Sequence, residues 1–253
     1  MPTDLARFER GAPFAGDAVA AIAAEQERMG ALQLGQIVHG RRLIIVVDGW
    51  EGAGRRELLK ALCAGLDPTH VRAHSLEETG WGRHGHWLAP FWSKLGRAGE
   101  TSLFLHSWHE QAAHARVANL LTSKQWSRAA DEINEFENTQ AEHGAKIVKL
   151  FLHVTAPVQR ERLQARASDP WQRWRLRDEE LRGLDARDAW QAAWSTLLGE
   201  TDTRWAPWTI IDANDAQTAL VTGLKAVREA MTKAIPVEPP ADKDNVVVLN
   251  RTA

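Results

Sequence analysis

The run Asp48-Gly49-Trp50-Glu51-Gly52-Ala53-Gly54-Arg55-Arg56 has the residue types and spacing of a loop that cradles phosphate. Gly49, Gly52, Ala53 and Gly54 let backbone N–H groups approach phosphate oxygens, and a helix-forming run, Glu57 to Leu62, follows with its N-terminus aimed at the same anion. A loop of this kind that also transfers phosphoryl groups has a lysine for the terminal phosphates and then a Ser or Thr for magnesium. Here Arg55 and Arg56 stand in both places. Arg55 keeps the charge, but as a broad planar fork on a longer stem, which is not a conservative exchange in a crowded loop.

A working site of this type needs an acidic residue at the end of a second core strand to organise magnesium. The candidate strand, Ser102-Leu103-Phe104-Leu105-His106, ends in an apolar residue and an imidazole. His106 and His109 are nonetheless expected near the loop, because that strand should end beside it. His84-x-His86 has no accompanying cysteine, and its spacing fits no standard zinc pattern. Further along, Asp169-Pro170-Trp171-Gln172-Arg173-Trp174-Arg175 alternates indoles with guanidinium groups. Arg173 and Arg175 could close over a polyanion while the tryptophans fix the segment to the body. The alternative is a solvated helix whose arginines pair with Asp178, Glu179 and Glu180.

Five short runs rich in Val, Ile, Leu or Phe supply strands to hold these residues: 43–48, 71–75, 102–106, 147–154 and 208–212. Helical stretches separate them, so the fold class is α/β, a P-loop kinase-like parallel sheet flanked by helices. Asp17 to Leu34 reads as a helix after an irregular segment, 1–16. The main domain is expected over 17–235. Within it, about 157–207 lacks a strand and reads as an inserted helical lid. Residues 236–253 read as a flexible tail with an apolar patch at Val246 to Leu249.

The chain has 253 residues, 44% of them hydrophobic, enough for a substantial single core. Its net charge of −2 offers no overall field for nucleic acid or an anionic membrane. No stretch approaches the apolar length a membrane span needs, and the lone Cys63 falls on the apolar pattern of a helix. The expected compartment is the cytoplasm.

Together these segments resemble the second polyphosphate kinase family, P-loop enzymes that move phosphoryl groups between inorganic polyphosphate and nucleotides. The similarity runs from about Gln26 to Met231. It is most specific at Ile133-Asn134-Glu135-Phe136-Glu137, Gly144 to His153, Asp169-Pro170-Trp171 with Arg173-Trp174, and Trp205 to Asp215. The resemblance implies a helical lid, Mg2+ as cofactor, polyphosphate and nucleotide as partners, and oligomers of such subunits. It also implies that Glu51 supplies the catalytic and metal-organising carboxylate, and that Arg55 stands for the catalytic lysine. Against the family's Phe-Asp-Arg-Ser-Trp-Tyr motif this chain has Phe104-Leu105-His106-Ser107-Trp108-His109. Residues that pack are kept, while Leu105 and His106 replace the acidic and basic members. Two readings stay open: an active polyphosphate:nucleotide phosphotransferase, or a noncatalytic phosphate-binding or scaffold subunit, a pseudoenzyme beside an active paralogue.

Overall fold

The computed structural model describes residues 1–9, 11–76, 85–175 and 184–239. After a 3-10 turn at Leu5–Phe8, helix α1 spans Ala18–Val38 and begins where the Asp17 side chain accepts from the backbone N–H groups of Val19 and Ala20. Strand β1, Arg42–Gly49, is buried from Leu43 onward, as expected of an apolar run covered on both sheet faces. Helix α2 (Arg55–Ala64) and strand β2 (Val71–Ser75) follow, then a single helical turn, α3 (Ala89–Trp92), and β3 (Thr101–Leu105). Next come α4 (Trp108–Val117), α5 (Ser123–Glu142) and β4 (Ala145–His153). The chain continues through α6 (Ala156–Ser168), a short 3-10 turn at Arg173–Arg175, α7 (Arg187–Glu200), β5 (Trp208–Asp212) and α8 (Ala216–Ala234).

Among the described residues the five strands form one sheet of order β2-β3-β1-β4-β5, every neighbouring pair parallel. The strand that feeds the glycine-rich loop is therefore central. Its register pairs Val47 with Leu105 on one side and with Leu150 on the other, so Asp48 and His106 emerge together at the carboxyl end. That end is where ligands bind in open parallel sheets. Helices α1, α2 and α8 pack together, with α2 against β1 and α8 against β4 and β5. Helices α4, α5 and α7 form a second group, with α5 against β4. Crossed aromatic contacts consolidate the second group. The Trp108 ring centroid lies 5.3 Å from that of Phe104 and 4.9 Å from that of Phe136, both edge-on.

The five strands expected from sequence are all present, and two, Val71–Ser75 and Trp208–Asp212, have the expected ends. The described residues between 157 and 207 contain no strand. Trp171 and Trp174 do not fix that segment to the body as expected: they are 86% and 72% exposed, whereas Trp194 on α7 is buried. Indoles follow the available interior surface, and the core takes its aromatics from α7. The first residues, expected to be irregular, carry the 3-10 turn at Leu5–Phe8 and are closely tied down. Leu5 is buried, the backbone N–H of Thr3 donates to the carbonyl of Ser195 at 2.8 Å, and that of Gly11 donates to Asp212 at 2.5 Å. His84, Arg182, the acidic residues 178–180 and the apolar patch 246–249 lie outside the described residues. No helix among the described residues is long and apolar enough to cross a membrane.

Candidate phosphate site

Two glycines give the loop its path. Gly49 has φ 140°, and a Cβ there would stand 2.3 Å from the carbonyl oxygen of Leu152, so β1 leaves the sheet against β4 closer than any side chain allows. Gly54, at φ 89°, takes the left-handed conformation at the head of α2 with no side-chain cap, which leaves that helix end able to face an anion. Arg162 on α6 holds the loop from behind. Its guanidinium donates to the carbonyls of Gly52 at 3.1 Å, Ala213 at 2.8 Å and Asn214 at 2.7 Å.

Between its glycines the loop turns Trp50 inward. The indole Nε1 donates to His153 Nδ1 at 2.8 Å, and the Arg187 guanidinium lies 3.9 Å from the ring centroid. Because Nδ1 accepts, a neutral His153 holds its proton on Nε2, which lies 3.0 Å from Glu9 Oε1. Burial holds this imidazole below its ordinary range, with Glu9 opposing. Arg187 also donates to the Val154 carbonyl at 2.6 Å and to Gln159. Arg187, in the first turn of α7, is thus bound to the loop's own tryptophan.

Arg55 is 5% exposed, and carboxylates of the protein engage both ends of its guanidinium. Nη2 pairs with Glu51, and Nη1 donates to Glu110 Oε2 at 2.5 Å. The other Glu110 oxygen lies 2.9 Å from His106 Nδ1. Burial alone would raise the Glu110 carboxyl, but the nearby charges of Arg55 and His106 outweigh it and hold the group down at about 2. Asp48 shows the opposite balance. Burial, with the negative field of Glu110 added, pushes it up to about 7, against the Ser107 hydrogen bonds and the Arg55 charge. Its Oδ2 accepts from Ser107 Oγ at 2.5 Å and its Oδ1 from the Ser107 backbone at 3.2 Å. Ser107 in turn caps α4.

Behind these groups lies a second buried set. Lys149 Nζ, on β4, donates to Glu137 Oε2 at 2.7 Å and to the Thr201 carbonyl at 2.6 Å, and sits 4.9 Å from the Trp208 ring centroid. Trp108 Nε1 donates to the other Glu137 oxygen at 3.0 Å. His109 Nε2 is 3.2 Å from that oxygen but lacks hydrogen-bond alignment. Burial holds His109 down at about 4, so it is neutral near pH 7.

Glu51, Arg55 and His106 meet as the sequence suggested. Glu110 and Asp48, which complete the cluster, were not singled out. Glu110 was legible only as a carboxylate one helical turn after His106, and Asp48 as an acid closing an apolar strand. Leu105 is buried at the end of β3 and adds no polar group. Arg56 is exposed on the first turn of α2, and Arg173 is exposed in a turn packed on α6, which also includes the backbone of Arg175. Glu51, His106 and Glu110 each offer a ligand atom, all within 4.8 Å of one another. That donor set does not suit Mg2+ as arranged. The two carboxylates face a guanidinium, and imidazole is a ligand Mg2+ seldom takes.

A glycine-rich loop between the central strand and an uncapped helix, at the carboxyl edge of a parallel sheet, is the arrangement of a P-loop protein, with arginine in the lysine position. The signature of the family described as Polyphosphate kinase 2 (PPK2) matches residues 16–238, and the chain belongs to that family. The AMP/ADP-polyphosphate phosphotransferase of Meiothermus ruber is 31% identical over 216 residues, 84% of this chain and 79% of the relative. The polyphosphate:AMP phosphotransferase of Pseudomonas syringae pv. tomato is 29% identical over 218 residues, and there this chain spans only 43% of the relative's length. The fold matches the crystal structure of polyphosphate kinase 2 from Arthrobacter aurescens with a TM-score of 0.85 at 23% identity, over 95% of this chain and 87% of that one.

Proposed function

We propose that this protein binds polyphosphate and nucleotide at the 49–56 loop but transfers phosphoryl groups between them only slowly. The observation that supports this reading is the clamp on Arg55. Transfer rests on positive charge placed on the moving phosphoryl group and on carboxylates that organise the attacking one. Here the single positive charge of Arg55 is held between the carboxylates of Glu51 and Glu110, so it is not directed at a phosphoryl group. What remains is the backbone cradle, the head of α2 and exposed arginines such as Arg56 and Arg173, which attract phosphate without activating it. Residues 157–207 act as the lid in this reading, and Mg2+ enters with the nucleotide's phosphates rather than on a site the loop has prepared.

Folded protein is incubated with polyphosphate, Mg2+ or Mn2+, and each nucleoside mono- and diphosphate, and binding and product are followed separately. Saturable, salt-sensitive binding with turnover at or near background is the expected result. Turnover in the ordinary kinase range, about 1–100 per second, overturns it. Arg55→Lys with Leu105→Asp asks whether the lost groups suffice for activity. Because Leu105 is buried, Arg55→Lys alone is the companion variant that keeps the fold.

A noncatalytic subunit can also assist an intact relative. The exposed Trp171 and Trp174 motivate this second reading. Co-purification with an intact family member, abolished by Trp171→Ser and Trp174→Ser, supports it; separate elution at micromolar concentration contradicts it.

A further inference from the structure

We propose that the amino edge of the sheet carries a second binding site, separate from the loop, for a small organic anion with a compact apolar body. There a cavity of about 210 Å3 opens between the ends of α1 and α8 and the starts of β1 and β4. It lies where β1 begins, and the loop lies where β1 ends, eight residues and so roughly 25 Å further on. Leu43, Ala145, Met231 and Ile235, all buried, give the cavity an apolar floor. A water-sized group takes about 30 Å3, so there is room for roughly seven of them. The body that fits is a chain of about six carbons or a single aromatic ring.

The rim sets the sign of the charge. Arg41, Arg42 and Lys146 line the cavity, and among the described residues no carboxylate does. The carboxyl ends of α1, α5 and α8 meet at this edge, and their partial negative charge draws cationic side chains to it. Arg42 uses that position directly, donating to the His143 carbonyl and to Gln140 Oε1, each at 3.2 Å. The side chains of Arg41 and Lys146 have no hydrogen-bond or ion-pair partner among the described residues. Two unpaired cations above a buried apolar floor complement a ligand with one anionic head and an apolar body. A carboxylate head suits the planar fork of Arg41, which can take both of its oxygens. Binding at this edge is read with no phosphate or nucleotide present, so it stands or falls apart from the loop.

The test is methionine-methyl NMR on the full-length protein. Its three methionines are Met1, Met29 and Met231, and of these Met231 alone lines the cavity. Sodium hexanoate is titrated, with hexylamine, 1-hexanol and acetate as controls for charge and for the apolar body. Hexanoate is expected to shift the Met231 signal saturably and leave Met29 in place, with a Kd of about 1 mM or below, as a ligand of about eight non-hydrogen atoms allows. Each control should bind at least about tenfold more weakly, because it lacks either the anionic head or the body. Arg41→Gln with Lys146→Gln should weaken hexanoate by about tenfold, the worth of two partly exposed ion pairs. Ala234→Phe fills the cavity from α8 and should abolish the shift with circular dichroism unchanged; Ala141→Leu fills it from α5 if the first variant unfolds. The proposal is overturned if Met231 shows no saturable shift at hexanoate about tenfold above that Kd, or if hexylamine, 1-hexanol or acetate binds as tightly. It is also overturned if the charge variant or a folded cavity-filling variant binds hexanoate unchanged.

Discussion

Replacing Lys149 by Met removes the ammonium from the interior and keeps most of its aliphatic stem. Two acceptors then lose their donor: Glu137 Oε2, 2.7 Å from Nζ, and the Thr201 carbonyl, 2.6 Å away. A buried carbonyl left unpaired costs about 1–3 kcal/mol, and an uncompensated buried carboxylate about 3–5 kcal/mol. Glu137 has one escape, which is to take a proton. Its ordinary value is 4.5, so at pH 7 neutralising it costs about 1.4 kcal/mol for each of the intervening pH units, or roughly 3 kcal/mol. Relief of burying Lys149 itself offsets part of this. The expected net loss is about 3–4 kcal/mol at pH 7, read as the fall in the free energy of unfolding in urea.

The pH dependence tests the cause. In the variant the Glu137 carboxyl rises above its unfolded value, so the folded state binds the extra proton and stability is regained as pH falls toward 5. Adding Glu137→Gln should recover much of the loss at pH 7. A loss below about 1 kcal/mol, or one equal at pH 5 and pH 8, refutes the view of Glu137 and Lys149 as a mutually dependent buried pair.

Asp48 titrates at about 7 in the folded chain against an ordinary 3.8, so the folded state holds a proton the unfolded chain has released. Relative to Asp48→Asn, the wild type should therefore lose a few kcal/mol as pH rises from about 4 to 7 and level off above, in urea midpoints measured across that window. A flat difference contradicts the assignment. Gly49→Ala places a Cβ on the Leu152 carbonyl and should destabilise by more than about 3 kcal/mol, visible as insoluble expression or a large drop in Tm; normal stability would mean β1 and β4 separate easily.

The scaffold was legible because its signals are local and repeated. A short, β-branched apolar run such as Leu43 to Val47 favours a buried strand, and Asp17 before an alanine-rich stretch is a helix start. The loop's glycines announced its shape for the same reason. The cluster around Arg55 was legible only in part, since pairing across the fold leaves no local trace. Glu110 reads as an ordinary helix-surface acid until β3 places it against the loop, and Lys149 breaks an otherwise apolar strand without showing that Glu137 lies opposite. The lid tryptophans misled because an indole signals burial on average, whereas Trp171 and Trp174 stay exposed among the described residues.

The central claim is that Arg55, held by Glu51 and Glu110, leaves a P-loop that binds phosphate without activating it. Its most direct test is the rate of phosphoryl transfer from polyphosphate to nucleotides by the wild type and by Arg55→Lys with Glu110→Asn, at matched binding saturation. The clamp predicts a wild type near background and a gain of at least about a hundredfold in the variant, since each charged group acting on the transition state is worth about 10²–10³. A wild type already turning over at about 1 per second or faster, and a variant no better, would contradict it.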